Sequence, residues 1–298
     1  MGVSRVRNTL NWLLSFCLSR LYSLPSNLYL ILKFIANNIG REYGINHLQK
    51  LRLARRIIKN NEKIKSLTSW QQHVLLVEEI FRLPKSLKGD VVECGCYEGA
   101  SSVNLSLACA LTNRRLIVCD SFEGLPKPKD DEKYEINAGS SADYYIWEEG
   151  EFSIEGGLDT VKKNVSKFGN IKVCQFVKGY FEDTLKDIDS ESIVLVFEDA
   201  DVRSSVEDCL RYLWPKLQEG CKFYSHEPWS VNVVSLFFDK KWWQDNLKAE
   251  PPGFDGSGRG ILAGLSYSMV GYAKKFDAEK IKKHGKKKVH LGSKGFEA

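Results

Sequence analysis

The pattern of apolar positions changes twice along the chain. From Asn8 to Leu32 it is almost continuous, broken by Arg20 and Pro25. Leu10, Leu13, Leu14, Cys17, Leu18 and Leu21 fall on one side of a helix, with Asn11, Ser15, Ser19 and Ser23 opposite, so the run reads as amphipathic. A membrane span needs roughly 20 unbroken apolar residues, which the arginine and the proline deny it. Residues 47–65 read as a basic helix. Ser69-x-x-Gln72 makes a capping box that starts another, which stops before Pro84.

From Asp90 onward short apolar runs alternate with helical patterns. Strands are expected over Val91–Cys96, Leu116–Asp120, Ile171–Val177, Ile193–Glu198 and Lys222–Ser225. Helices are expected over Ala100–Leu111, Leu158–Lys167, Val202–Leu213 and Val231–Asn246. Short apolar strands separated by helices predict an α/β fold with a doubly wound, mostly parallel sheet. An alternating run from Leu265 to Ala273 adds a late strand able to pair antiparallel. Two long connections remain. In the acidic stretch from Ser121 to Gly157, Tyr144, Tyr145 and Trp147 either wall a pocket or pin the loop. In the Gly-rich stretch from Pro251 to Gly260, Phe254 and Arg259 are candidates for a lid. Trp242-Trp243 reads as core or interface.

The 298 residues carry a net charge of +5, unevenly spread. Residues 1–65 hold 12 basic and 2 acidic side chains, residues 66–273 hold 22 and 33, and residues 274–298 hold 9 and 3. With the excess confined to the ends, a nucleic-acid-binding surface is not expected. Three parts follow: a helical extension over 1–68, a catalytic domain over 69–273 and a basic tail over 274–298. The extension serves as lid, as homo-oligomer contact or, through residues 8–40, as a peripheral contact with an anionic membrane. The eight cysteines lie mostly in apolar runs and form no C-x-x-C pair. Free thiols in a cytoplasmic protein are the expectation, membrane-associated if the extension meets lipid.

The first strand–helix junction reads Glu93-Cys94-Gly95-Cys96-Tyr97-Glu98-Gly99-Ala100-Ser101-Ser102. Gly95 and Gly99 permit a sharp turn and close approach of a ligand, and the helix that follows offers free N–H groups. Its G-x-x-x-G spacing differs from the G-x-G-x-x-G of dinucleotide sites, which disfavours an NAD-dependent oxidoreductase. Asp120 ends the second strand and can hydrogen-bond both hydroxyls of a ribose. Together these features suggest S-adenosylmethionine, with Glu93 near its amino group, the glycine turn around its amino-acid moiety and Asp120 on its ribose.

Asp120-Ser121-Phe122-Glu123-Gly124-Leu125-Pro126 resembles the D-S-F-E-G-L-P signature of the macrocin O-methyltransferase-like family. Lys178-Gly179-Tyr180-Phe181-Glu182-Asp183-Thr184-Leu185 resembles its G-x-F-x-D-T-L motif. Val196-Phe197-Glu198-Asp199-Ala200-Asp201 and Leu213-Trp214-Pro215-Lys216-Leu217 are similar to its acidic strand end and Y-P-K-L helix. The likeness runs from about Gly89 to Trp229. It implies a class I methyltransferase fold with a seven-stranded sheet. It also implies methyl transfer from S-adenosylmethionine to a hydroxyl of a sugar-bearing or natural-product small molecule. The motif positions Cys96, Tyr97, Ser101, Ser102, Ser121, Phe122, Gly179, Tyr180 and Phe181 join Glu93, Gly95, Gly99, Asp120 and Asp199 as expected cofactor contacts.

The resemblance further implies a divalent metal, typically Mg²⁺, held here by Asp199, His226 and Glu227. His226 stands where an Asp is expected, which makes the donor set less purely oxygen. Ala200 replaces a Gly, and Arg203 replaces an aromatic and brings positive charge toward those ligands. Three readings stay open. Asp199, His226 and Glu227 hold a metal that activates the acceptor hydroxyl; or Asp199 and His226 work without metal, His226 as general base; or Asp199 or Asp201 merely caps a helix at a solvated strand end. A nucleoside-binding protein that has lost transfer is the different-class alternative.

Overall fold

The structure is a computed structural model that describes residues 27–130, 132, 134–136, 144–258, 260–261 and 270–276. The amphipathic run before Asn27, Arg259, the stretch 262–269 and the basic tail beyond Phe276 lie outside the described residues.

Residues 27–36 are helical, followed by α1 (His47–Lys63) and α2 (Trp70–Arg82). Asn46 and Ser69 start these two helices through complete capping boxes with Gln49 and Gln72. Then come β1 (Asp90–Cys94), α3 (Ala100–Thr112), β2 (Leu116–Asp120), the short strands β3 (Tyr134–Ile136) and β4 (Tyr144–Ile146), and α4 (Gly157–Phe168). The chain continues through β5 (Cys174–Lys178), α5 (Phe181–Thr184), β6 (Ile193–Glu198), α6 (Arg203–Leu213) and β7 (Leu217–Ser225). It ends in α7 (Val231–Leu236), α8 (Lys240–Leu247) and β8 (Gly271–Lys274).

Six strands form the main sheet in the order β5-β2-β1-β6-β7-β8, all parallel except β8. The chain builds outward from β1 in one direction, then crosses to β6 and builds in the other. Ligands in such sheets bind where the order reverses, beyond the carboxyl ends of the strands. β1, β2 and β6 are buried on both faces, which explains their unbroken apolar runs. Helices α1 to α4 pack among themselves, as do α5 to α7.

Six strands of the expected mostly parallel sheet are among the described residues, and part of the expected late strand, 262–269, lies outside them. Other expectations need correction. The strand expected from Ile171 begins at Cys174, because the Asn170 side chain accepts from Lys172 N and winds Ile171–Val173 into a 3-10 turn. The helix expected over 231–246 is two, because Asp239 caps a new start by accepting from Trp242 N at 3.0 Å. The acidic loop contains the antiparallel pair β3–β4. Phe254 is a core residue whose ring lies tilted 4.6 Å from that of Phe237, which removes it as a lid. Trp243 is fully buried against Trp214, and the seven described cysteines are free. Among the described residues no helix is long and apolar enough to cross a membrane.

The N-terminal helices share the main hydrophobic core, and buried polar groups tie them to it. Asn60 Nδ2 donates to Asn104 Oδ1 at 2.8 Å, which turns Asn104 Nδ2 toward His73 Nδ1, also at 2.8 Å. His73 Nδ1 is therefore an acceptor, and its Nε2 donates to Thr68 Oγ1 at 2.6 Å. Thr68 Oγ1 donates to Ser66 Oγ, which donates to Thr68 O. One directed chain thus links α1, α3, α2 and the connector between α1 and α2.

Burial pulls His73 down to about 3 from the ordinary 6.5. The unfolded chain therefore takes up a proton between those values that the folded chain refuses. Stability from this residue is fully present above pH 6.5 and declines as pH falls toward 3. His73→Gln should flatten that decline by up to about 1.4 kcal/mol per pH unit, read from urea unfolding across the acid range.

Candidate active site

A cavity of about 350 Å³ opens at the carboxyl ends of β1, β2 and β6. Of the positions expected to bind cofactor, Gly95, Cys96, Tyr97, Ser101, Asp120, Ser121, Tyr180, Phe181 and Asp199 line it. Glu93, Gly99, Ser102, Phe122 and Gly179 do not.

Glu93 lies fully buried beneath the turn, where Ser102 Oγ donates to it and burial pushes its carboxyl up to about 8. Gly95 and Gly99 both have left-handed backbone, and the close approach they permit is to the chain itself. A Cβ on Gly95 would sit 1.9 Å from the Asp199 carbonyl oxygen; one on Gly99 would sit 2.9 Å from Val161 Cγ1. Asp120 is held by two amides, Cys96 N donating to Oδ2 at 2.7 Å and Phe122 N to Oδ1 at 2.6 Å. Its second lone pairs are what remain for a ribose. Burial raises it, and these amides pull against that rise.

The D-S-F-E-G-L-P segment is a docking turn. Ser121 Oγ accepts from Glu123 N and donates to Gly124 O, while Leu125 pairs with Gly150 and Glu151 through its backbone. A side chain on Gly124 would strike Gly150 O at 2.4 Å, so that glycine is required. Trp147 is buried against Phe152 and Trp229 and pins the loop. The described part of Tyr144 and Tyr145 is their strand backbone.

Asp199, His226 and Glu227 come together beside the cavity, with one donor atom from each inside 4.8 Å. His226 Nδ1 is 2.9 Å from Asp199 Oδ1 and 3.8 Å from Glu227 Oε1. Burial works against a charged His226, but the neighbouring Asp199 carboxylate together with Asp201 and Glu198 outweighs it and raises the ring above its ordinary value. Glu227 and Glu198 are fully buried, and burial lifts both carboxyls, Glu198 to about 7. Glu227 Oε1 has no hydrogen-bond partner among the described residues. A buried carboxylate oxygen without a donor, facing an imidazole nitrogen and a second carboxylate, fits a divalent cation. The nitrogen makes the trio better suited to a borderline ion than to Mg²⁺.

The helix-cap reading of Asp199 and Asp201 is not met. The amide at the start of α6, Ser204 N, is capped by Glu132 Oε2 at 3.1 Å. Arg203 also points away from the trio, to Glu207 at 3.0 Å and to Asn232 O at 3.1 Å.

The sequence reading missed the connector Lys65–Thr68, which lines the cavity beside the glycine turn, Lys65 Nζ lying 5.4 Å from the centre of the Tyr97 ring. It missed Phe152, Lys127 and Lys129 as well. The Lys-Pro-Lys that follows the loop signature was the one visible cue; the connector carries no motif.

The sheet order and a ligand cavity at its reversal define a Rossmann-like fold of the class I methyltransferase type. Residues 70–224, over half of the chain, match the macrocin O-methyltransferase (TylF) family, and the chain belongs to that family. It is 28% identical over 142 residues to the mycinamicin III 3''-O-methyltransferase of Micromonospora griseorubida, a match covering 46% of this chain and 54% of the relative. It is 30% identical over 147 residues to the 8-demethyl-8-(2,3-dimethoxy-alpha-L-rhamnosyl)-tetracenomycin-C 4'-O-methyltransferase of Streptomyces olivaceus, covering 46% and 52%. The chain thus spans about half the length of these curated relatives. The crystal structure of a calicheamicin methyltransferase shares the fold, with a TM-score of 0.52 at 16% identity over 77% of this chain and 93% of that one.

Gly95→Ala should destabilise the protein by about 2–4 kcal/mol, through left-handed strain and collision with Asp199, measured as a lowered unfolding midpoint.

Proposed function

We propose that this chain is an S-adenosylmethionine-dependent O-methyltransferase acting on a hydroxyl of a sugar-bearing or natural-product small molecule. The observation that carries the proposal is a single cavity that reaches from the glycine turn and Asp120 to Asp199, beside which His226 and Glu227 gather. The family, and the acceptors named for the curated relatives, support the acceptor class.

S-adenosylmethionine supplies an electrophilic methyl on a sulfonium. Tyr97, Cys96 and Ser101 shape the wall for its amino-acid end, and Asp120 offers lone pairs to its ribose. The acid-rich end of the cavity suits a cationic cofactor. Asp199 lies where the acceptor hydroxyl must approach, and holding it there supplies much of the rate through proximity. Asp199, His226 and Glu227 would hold a divalent ion, whose chemistry is to lower the pKa of a bound hydroxyl. A second reading is favoured by the 2.9 Å contact: Asp199 orients His226, which takes the hydroxyl proton directly.

Asp199→Ala should lower turnover by about 10²-fold or more with the fold intact by circular dichroism. Unchanged turnover would exclude both readings of the trio. Exhaustive chelation separates them: activity that falls and returns with added Mn²⁺ or Mg²⁺ supports the ion, and activity that persists supports His226 as base. His226→Asp should raise Mg²⁺ affinity, measured by calorimetry. In a thermal-shift comparison S-adenosylhomocysteine should stabilise the protein; stabilisation by NAD alone would overturn the proposal.

A further inference from the structure

The helical stretch 27–36 has two unlike sides. Phe34 is buried in the core, and the stretch is tied down where Gln71 Nε2 donates to Asn27 and where the backbone of Ile35 and Asn37 meets His47 and Lys50. The other side carries Leu28, Tyr29 and Leu32, which are 58%, 64% and 55% exposed, with Lys33 and Ala36 beside them. Leu28 and Leu32, at i and i+4, and Tyr29 fall within an arc of about 100° on one side of the helix, and nothing described covers it. Leu48, 54% exposed, follows His47, whose Nδ1 lies 2.6 Å from the Ile35 carbonyl, at the start of the neighbouring helix α1. Along α1, Leu48 is followed on the same stripe by Arg52, Arg55 and Lys59, all exposed.

An apolar patch flanked by a cationic stripe is the pattern of a surface that lies on an anionic bilayer, apolar side chains in the acyl boundary and cations at the headgroups. Charge argues for lipid over a second copy of this chain. Residues 27–65 hold 9 basic side chains against 2 acidic, so an isologous contact would set like charges against each other. We infer that this face docks the protein peripherally on an anionic phospholipid surface, through Leu28, Tyr29 and Leu32 with Arg52 and Arg55. The inference is independent of the proposed chemistry, since none of these residues lines the cavity.

Flotation of the full chain with phosphatidylcholine vesicles, with and without phosphatidylserine, tests it. Recovery with the anionic vesicles, reduced by salt, is expected. Leu28→Glu/Leu32→Glu should weaken binding by roughly tenfold or more. Arg52→Glu/Arg55→Glu should do the same without touching the apolar face, which guards against a folding defect in the first variant; melting curves accompany both. Equal recovery of wild type and both folded variants overturns the inference, as does the absence of binding to anionic vesicles. So does a dimer in light scattering that the leucine variant splits, which would assign the face to a second copy.

Discussion

Gly95 passes beneath the carbonyl oxygen of Asp199 with space for a hydrogen and nothing larger. Two backbone bonds clamp that crossing, Gly95 N to Cys119 O at 2.9 Å and Asp199 N to Cys94 O at 2.8 Å. The ends of β1, β2 and β6 are thereby fixed against one another before any side chain is considered. From this crossing Cys96 N reaches Asp120, and Asp199 is delivered to the cavity wall. Small residues here serve the geometry of the scaffold first, and the pocket is what that geometry leaves open.

The second constraint is electrostatic. Glu93, Glu198 and Glu227 are all fully buried within one region of the sheet. Such a concentration is tolerable because protons are retained on some carboxyls, and because the Ser102 and Ser225 hydroxyls donate to Glu93 and Glu227. The cluster thus calls for a neutralising partner, a proton or a cation, and the imidazole nitrogen beside Asp199 can take either.

Strands β1, β2 and β6 were legible because burial on both faces demands continuous apolar runs. α2 was legible because Ser69 and Gln72 are an unambiguous local signal. The hairpin β3–β4 was not, since three-residue strands in an acidic loop leave no periodicity. The break before α8 was hidden because Asp239 as a cap looks the same as Asp239 inside a helix. Of the site, the residues in motifs could be named, yet Glu93 and Gly99 sit beside the strand–helix turn and face inward. The direction in which a side chain leaves a turn depends on φ and ψ, not on neighbouring letters. Lys65–Thr68 reach the cavity only through tertiary packing, and no local rule announces that.

That connector also bears on how the cavity meets a ligand. Its hydroxyls are oriented through His73 and two asparagines from helices on the far side of the wall, so its rotamers are settled when the helices pack. The entropy lost in ordering this side of the pocket is therefore charged to folding, and a ligand arrives at a surface already in its final shape.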